Sequence, residues 1–151
     1  MAPTIILLVS FAVLRCVGLL GVAALDNWDM PLRVALCAMF LVTASAHWGR
    51  GRPDFIRMVP GIFPSAGAIV SVTGVLEILG ALGLLIPFTT RAAALCLAIL
   101  LIAMFPANVR ATRERLTVLG RPATNLAIRG TMQLLFVGAL LAVAAAPHTG
   151  S

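Results

Sequence analysis

The sequence predicts an all-α fold, a polytopic membrane bundle of five helices. Three observations predict it. The chain of 151 residues is 61% hydrophobic and 11% charged, with mean hydropathy +1.08, whereas soluble folds run near about 25% charged. The apolar residues fall into runs of near membrane-spanning length, separated by short connections rich in Pro, Gly, Asp or Arg. Finally, one acid, Glu77, stands near the middle of the run VTGVLEILGALGLLIP, residues 72–87. A carboxylate in hydrocarbon is costly, and is kept where something in the bundle uses or neutralises it.

The first expected span is 4–25. A signal peptide wants a basic start and an uncharged core; here residues 1–4 carry no base and Arg15 sits inside the apolar run, so a retained helix is expected. The second span, 32–48, is near the lower length limit for a crossing, and Thr43, Ser45 and His47 cluster at its far end. Segment 49–64, GRGRPDFIRMVPGIFP, is too apolar for a free loop. Pro53 can start a short helix near 54–58, and Pro60 and Pro64 stop it, which suggests an interfacial or re-entrant piece. The third span is 66–86 and the fourth 92–105, with Pro106 kinking or ending it. Segment 109–122 is the most basic. The fifth span is 123–146, where Asn125, Arg129 and Gln133 share a face at four-residue spacing. A polar tail, PHTGS, follows. No repeat and no soluble domain is visible, so residues 1–151 read as one transmembrane domain.

The net charge is +6, and all the bases are Arg. They lie between apolar spans rather than on a soluble face, which argues against nucleic acid. With five spans, Arg50, Arg52, Arg57, Arg110, Arg113, Arg115 and Arg121 fall on the N-terminal side and Arg33 and Arg91 on the other. The positive-inside rule then places the N-terminus in the cytoplasm and the C-terminus outside. Cys16, Cys37 and Cys96 sit in separate apolar runs without metal-type spacing, so they read as packing residues; no metal site is expected.

Several residues are candidates for chemistry. Arg15 and Glu77 each lie eleven residues past the expected start of their spans, about 17 Å along the axis, and the two spans run the same way. A midplane pair would neutralise both charges; it would either fix helix register or bind a polar headgroup. Thr73, Gly74, Gly80 and Ala81 surround Glu77 with small or weakly polar groups that admit a close neighbour. His47, Asn108, Arg110, Asn125, Arg129 and Gln133 would form a polar mouth at the cytoplasmic end leading toward Glu77, the plainer alternative being interfacial anchoring. Arg50, Arg52, Asp54, Arg110, Arg113 and Arg115 are candidates for contact with headgroups or a partner.

From residue 32 to 146 the chain resembles the DoxX-like small membrane proteins. The resemblance is carried by Ala46-His47-Trp48, by Pro53-Asp54-Phe55 and Met58-Val59-Pro60 with Pro64, by Gly74-Val75-Leu76-Glu77-Ile78-Leu79-Gly80 with Pro87 and Thr90-Arg91, by Phe105-Pro106-Ala107-Asn108-Val109, and by Gln133. The G-V-x-E-x-x-G and F-P-A-N elements are the specific ones. The resemblance implies a four-helix core, to which 4–25 adds an N-terminal transmembrane helix carrying Arg15, outside the family pattern. It implies a multi-pass protein of the bacterial inner membrane, since relatives are linked to quinone-coupled sulfur oxidation or to oxidative and thiol stress. No redox cofactor motif is evident in this chain, so electrons would come from a quinone or a partner. The expectation is an accessory subunit or binder of a quinone or lipid, docking a protein partner through its basic loops, with homo-oligomerisation open. The alternatives are a catalytic subunit of a quinone-linked oxidoreductase, a small transporter, and a sterol-type binding or isomerase bundle.

Overall fold

The described residues form six α-helices, a 3-10 turn and one small hairpin. A computed structural model describes residues 2–118, 120–122 and 124–147. In order come α1 (Ala2–Leu19), a 3-10 turn (Ala23–Leu25), α2 (Asp29–Ser45), α3 (Arg52–Met58), α4 (Ala66–Gly83), α5 (Thr90–Arg113), β1 (Thr117–Val118), β2 (Arg121–Pro122) and α6 (Leu126–Ala145). The expected tail lies outside the described residues from position 148 on, as does the expected first residue of the last span, 123.

Four of these helices, α1, α4, α5 and α6, are long and apolar enough to cross a membrane, with mean hydropathy 1.8 to 2.3 over their most apolar windows. Their outer faces carry large apolar side chains with no protein cover: Leu8, Val13, Leu79, Ile99 and Leu134 are all more than half exposed. Water would penalise such a surface at roughly 25 cal/mol per Å², whereas lipid does not.

The second expected span, 32–48, is found as α2, shifted three residues toward the N-terminus. α2 has 17 residues, about 25 Å, one fewer than the shortest of the four. It is the inner helix. Pro31, Arg33, Ala35, Leu36, Cys37, Met39, Phe40 and Ala44 are buried along it, against α1, α4 and α6. A helix wrapped by others needs neither the length nor the uniform apolarity of a lipid-facing one. Where α2 stops, the chain folds back underneath, and α3 packs against α4 and α5. The short helix expected in 49–64 is thus present, with Pro53 in its first turn and Met58 buried, while Ile62 and Phe63 stay exposed.

Several boundaries differ from expectation. α1 ends at Leu19, not 25, because Gly21 turns the chain at φ 112°, a conformation that glycine adopts without strain. α5 runs through Pro106 to Arg113 rather than ending near 105. Five residues before that proline the Gln133 amide nitrogen donates to the Leu101 carbonyl at 3.0 Å, which ties α5 to α6. The last helix begins at Leu126 because Asn125 caps it, its Oδ1 accepting from the Ile128 amide at 2.8 Å.

Candidate functional site

α2 and α4 run antiparallel, and their packing decides what Glu77 meets. Glu77 is 4% exposed and His47, in the turn just past α2, is 3% exposed. The His47 Nδ1 lies 2.7 Å from the Val70 carbonyl. A carbonyl oxygen only accepts, so Nδ1 carries a proton. The other ring nitrogen, Nε2, then faces the Glu77 Oε1 at 3.5 Å. That contact is attractive only with one proton between the two groups, either on an imidazolium facing a carboxylate or on a carboxylic acid facing a neutral imidazole. Both arrangements have zero net charge. The pair therefore solves the burial problem that a lone acid poses, and does so with a proton that has two places to sit.

Thr43 completes the arrangement from α2. Its Oγ1 lies 3.1 Å from Glu77 Oε2 and 3.0 Å from the Phe40 carbonyl. Thr73 is one turn before Glu77 on α4; its hydroxyl lies 3.0 Å from the Ile69 carbonyl and 3.1 Å from that of Val70, with His47 Nδ1 at 3.4 Å. Gly74 is what lets the turn come so close. A Cβ built there would lie 2.7 Å from the Trp48 ring and 2.8 Å from the His47 Cβ. The glycine that reads in the sequence as room for a ligand is filled by the protein's own His47 and Trp48. Phe55 of α3 meets the His47 ring edge-on at 4.9 Å between centroids. Arg52 fastens that cover. Its Nη1 donates to the His47 carbonyl and to Ser71 Oγ, both at 3.0 Å, and its Nη2 to the Gly67 carbonyl at 3.1 Å.

Arg15 does not take part, and the expected Arg15–Glu77 pair is absent. Its Nη1 donates to the carbonyls of Leu25, Asp26 and Asn27 at 3.0, 2.6 and 2.9 Å. The depth argument fails because α1 begins at Ala2 and turns at Gly21, which leaves Arg15 near the connection to α2, whose unpaired carbonyls it caps.

Asn108 and Gln133 do come together, but apart from Glu77. Asn108 Nδ2 donates to Gln133 Oε1 at 3.4 Å, and Arg129 Nη1 donates to Asn108 Oδ1 at 2.7 Å. This second cluster ties α5 to α6. Among the described residues no hydrogen bond joins it to Glu77 or His47. Two clefts lie elsewhere, one lined by Pro87, Phe88, Arg91 and residues 144–147, another by Ser71, Val72, Val75 and Leu76 on the outer face of α4.

Several of the basic candidates are already engaged. Arg57 pairs with Asp54 and donates to Thr117 Oγ1 at 3.2 Å. Arg110 donates to Glu114 at 2.8 Å and also to the Val59 carbonyl. Arg50, Arg113 and Arg115 are exposed. Among the described residues no group of three or more His, Cys, Asp or Glu could hold a metal. Cys37 is buried, and Cys16 and Cys96 are exposed.

Sequence reasoning missed Arg33, counted as a charge of a boundary turn. It is 6% exposed, donating from Nε to the Leu84 carbonyl at 2.7 Å, from Nη2 to Thr90 Oγ1 at 2.6 Å, and facing Asp29 at 3.4 Å. The only available signal was its position four residues after Asp29, the spacing of a helical ion pair.

The model of one protein family, described as a domain of unknown function (DUF8561), matches residues 36–146, which leaves α1 outside it. Neither the curated proteins nor the solved structures contain a match.

Proposed function

The chain belongs to the DUF8561 family, and we propose that it is a DoxX-like multi-pass accessory protein that binds a lipophilic ligand with a polar head, a quinone or a lipid, at the Glu77–His47 pair. The observation that carries this reading is the buried contact between the Glu77 carboxyl group and the His47 imidazole. Such a pair offers a hydrogen-bond donor to a ligand carbonyl and an acceptor to a ligand hydroxyl, which are the two faces of a quinone and its reduced form. The pair is covered by a short helix, α3, and by Trp48, which is 46% exposed. Access requires displacing that cover, and a seven-residue helix followed by a connection with two prolines, Pro60 and Pro64, is a small unit to displace. Electrons, if any pass, belong to the quinone or to a partner.

The exposed bases Arg50, Arg113 and Arg115 lie at the end of the bundle that carries α3. The positive-inside rule puts that end in the cytoplasm of a bacterial inner membrane, where it presents a docking face to a protein partner. The reading is tested by mass spectrometry of what co-purifies with gently solubilised wild type and with Glu77→Gln. A quinone or defined lipid on the wild type, missing from an equally folded variant, is the expected result. The same species on both would remove Glu77 from the site.

A further inference from the structure

We infer that Arg129, at the start of α6, is a binding site for the phosphodiester of an anionic glycerophospholipid, distinct from the Glu77–His47 pair. The argument begins with what its guanidinium does and does not touch. Nη1 donates to Asn108 Oδ1 at 2.7 Å. That amide is fixed in orientation, because its nitrogen donates to Gln133 Oε1 and the Gln133 nitrogen donates to the Leu101 carbonyl. The network therefore runs one way, from Arg129 to a backbone carbonyl of α5, and consumes only one of the three guanidinium nitrogens.

The remaining two are Nε and Nη2. Nε is buried and has no partner, and Nη2 donates to no described residue. These two nitrogens carry parallel N–H groups on one edge of the guanidinium, the edge that grips a phosphate or carboxylate with two hydrogen bonds. A buried unsatisfied donor in a native fold calls for an explanation, and here the unsatisfied donor is half of a two-pronged anion grip.

Among the described residues no carboxylate pairs with Arg129. The ion pairs among described residues use Asp29, Asp54, Glu77 and Glu114, and none reaches Arg129. At this end of the bundle Asp54 and Glu114 pair with Arg57 and Arg110, which leaves Arg50, Arg52, Arg113, Arg115 and Arg129 in excess among the described residues. The surroundings favour a ligand of net negative charge. They also favour one with acyl chains: Arg129 is one turn into a helix apolar enough to span a membrane. On that helix Leu126, one turn back and about 60° round from Arg129, is 36% exposed. A headgroup held at Arg129 leaves its chains on the side of α6 that carries Leu126.

The test is native mass spectrometry of the full chain in detergent, titrated with dioleoylphosphatidylglycerol, dioleoylphosphatidylcholine and inorganic phosphate. Wild type is expected to hold phosphatidylglycerol about tenfold more tightly than Arg129→Lys, which keeps the charge but loses the two-pronged edge, with phosphatidylcholine weaker on the wild type. Equal affinity of wild type and Arg129→Lys would reduce the effect to diffuse charge and overturn the site. Inorganic phosphate binding as tightly as phosphatidylglycerol would overturn the lipid assignment. If the Arg129 variants fail to fold, Asn108→Asp decides. It keeps an acceptor for Nη1 but neutralises the cation, so it is expected to lose the lipid, and retention of the lipid would refute the proposal.

Discussion

The two ends of α2 each bury an ionisable side chain against α4, and they do it differently. At one end the Arg33 guanidinium is 6% exposed and is held by the Leu84 carbonyl, Thr90 and Asp29 through all three of its nitrogens. Thr90 itself donates onward to the Leu84 or Ile86 carbonyl, at 3.2 and 2.9 Å. This charge has one state and one geometry. At the other end His47 and Glu77 are buried as deeply, but their contact is 3.5 Å and rests on a proton that either can hold. Saturated hydrogen bonding fixes a structure, whereas a shared proton leaves a site able to respond to a ligand. The same helix is thus anchored at one end and left responsive at the other.

That contrast can be broken by mutation. Arg33→Ala is expected to have the largest effect, destabilising by about 3 kcal/mol, because it strips the charged donor from two buried acceptors. A melting temperature in detergent within a few degrees of wild type would show that the anchor is not one. Gly74→Ala comes next. Its methyl group would collide with the Trp48 ring and His47 Cβ, costing about 1 to 3 kcal/mol as overpacking and moving His47 off Glu77. An unchanged melt would mean that the turn holding His47 is loosely placed.

Glu77→Ala should cost about 2 kcal/mol and Glu77→Gln about 1, since only alanine leaves both Thr43 and His47 without a partner. Equal melting temperatures for the two variants would refute the pairing drawn here. Arg15→Ala should do least, under about 1 kcal/mol, because its three carbonyl partners sit in a turn open to solvent. A loss as large as that of Glu77→Ala would restore a central role to Arg15.

The sequence made some of this visible. Glu77 stood out because it is the one acid in a long apolar run, and the short helix in 49–64 followed from the spacing of its prolines. Asn108 and Gln133 could be placed at one end because their helices are antiparallel neighbours. The partner of Glu77 could not be read. It depends on α2 stopping at Ser45 and the chain folding beneath it, which brings residue 47 against residues 70–77; helix depth counted from span starts pointed to Arg15 instead. Arg33 was illegible for a related reason. An arginine at the second position of an apolar run looks like a boundary charge, and only the turn from α4 to α5, folding Leu84 and Thr90 over it, makes it a buried one. Gly74 was read correctly as a place of close approach, but what approaches is the protein's own turn.

The most direct measurement of the central claim compares the two ends of α2 in one assay. Purified wild type, Glu77→Gln and Arg33→Lys are melted in detergent with and without an added short-chain quinone. Wild type and Arg33→Lys, whatever their starting stability, should both gain melting temperature with the quinone, and Glu77→Gln should gain none. An equal gain in all three would contradict the account, because the ligand would then bind without the Glu77–His47 pair.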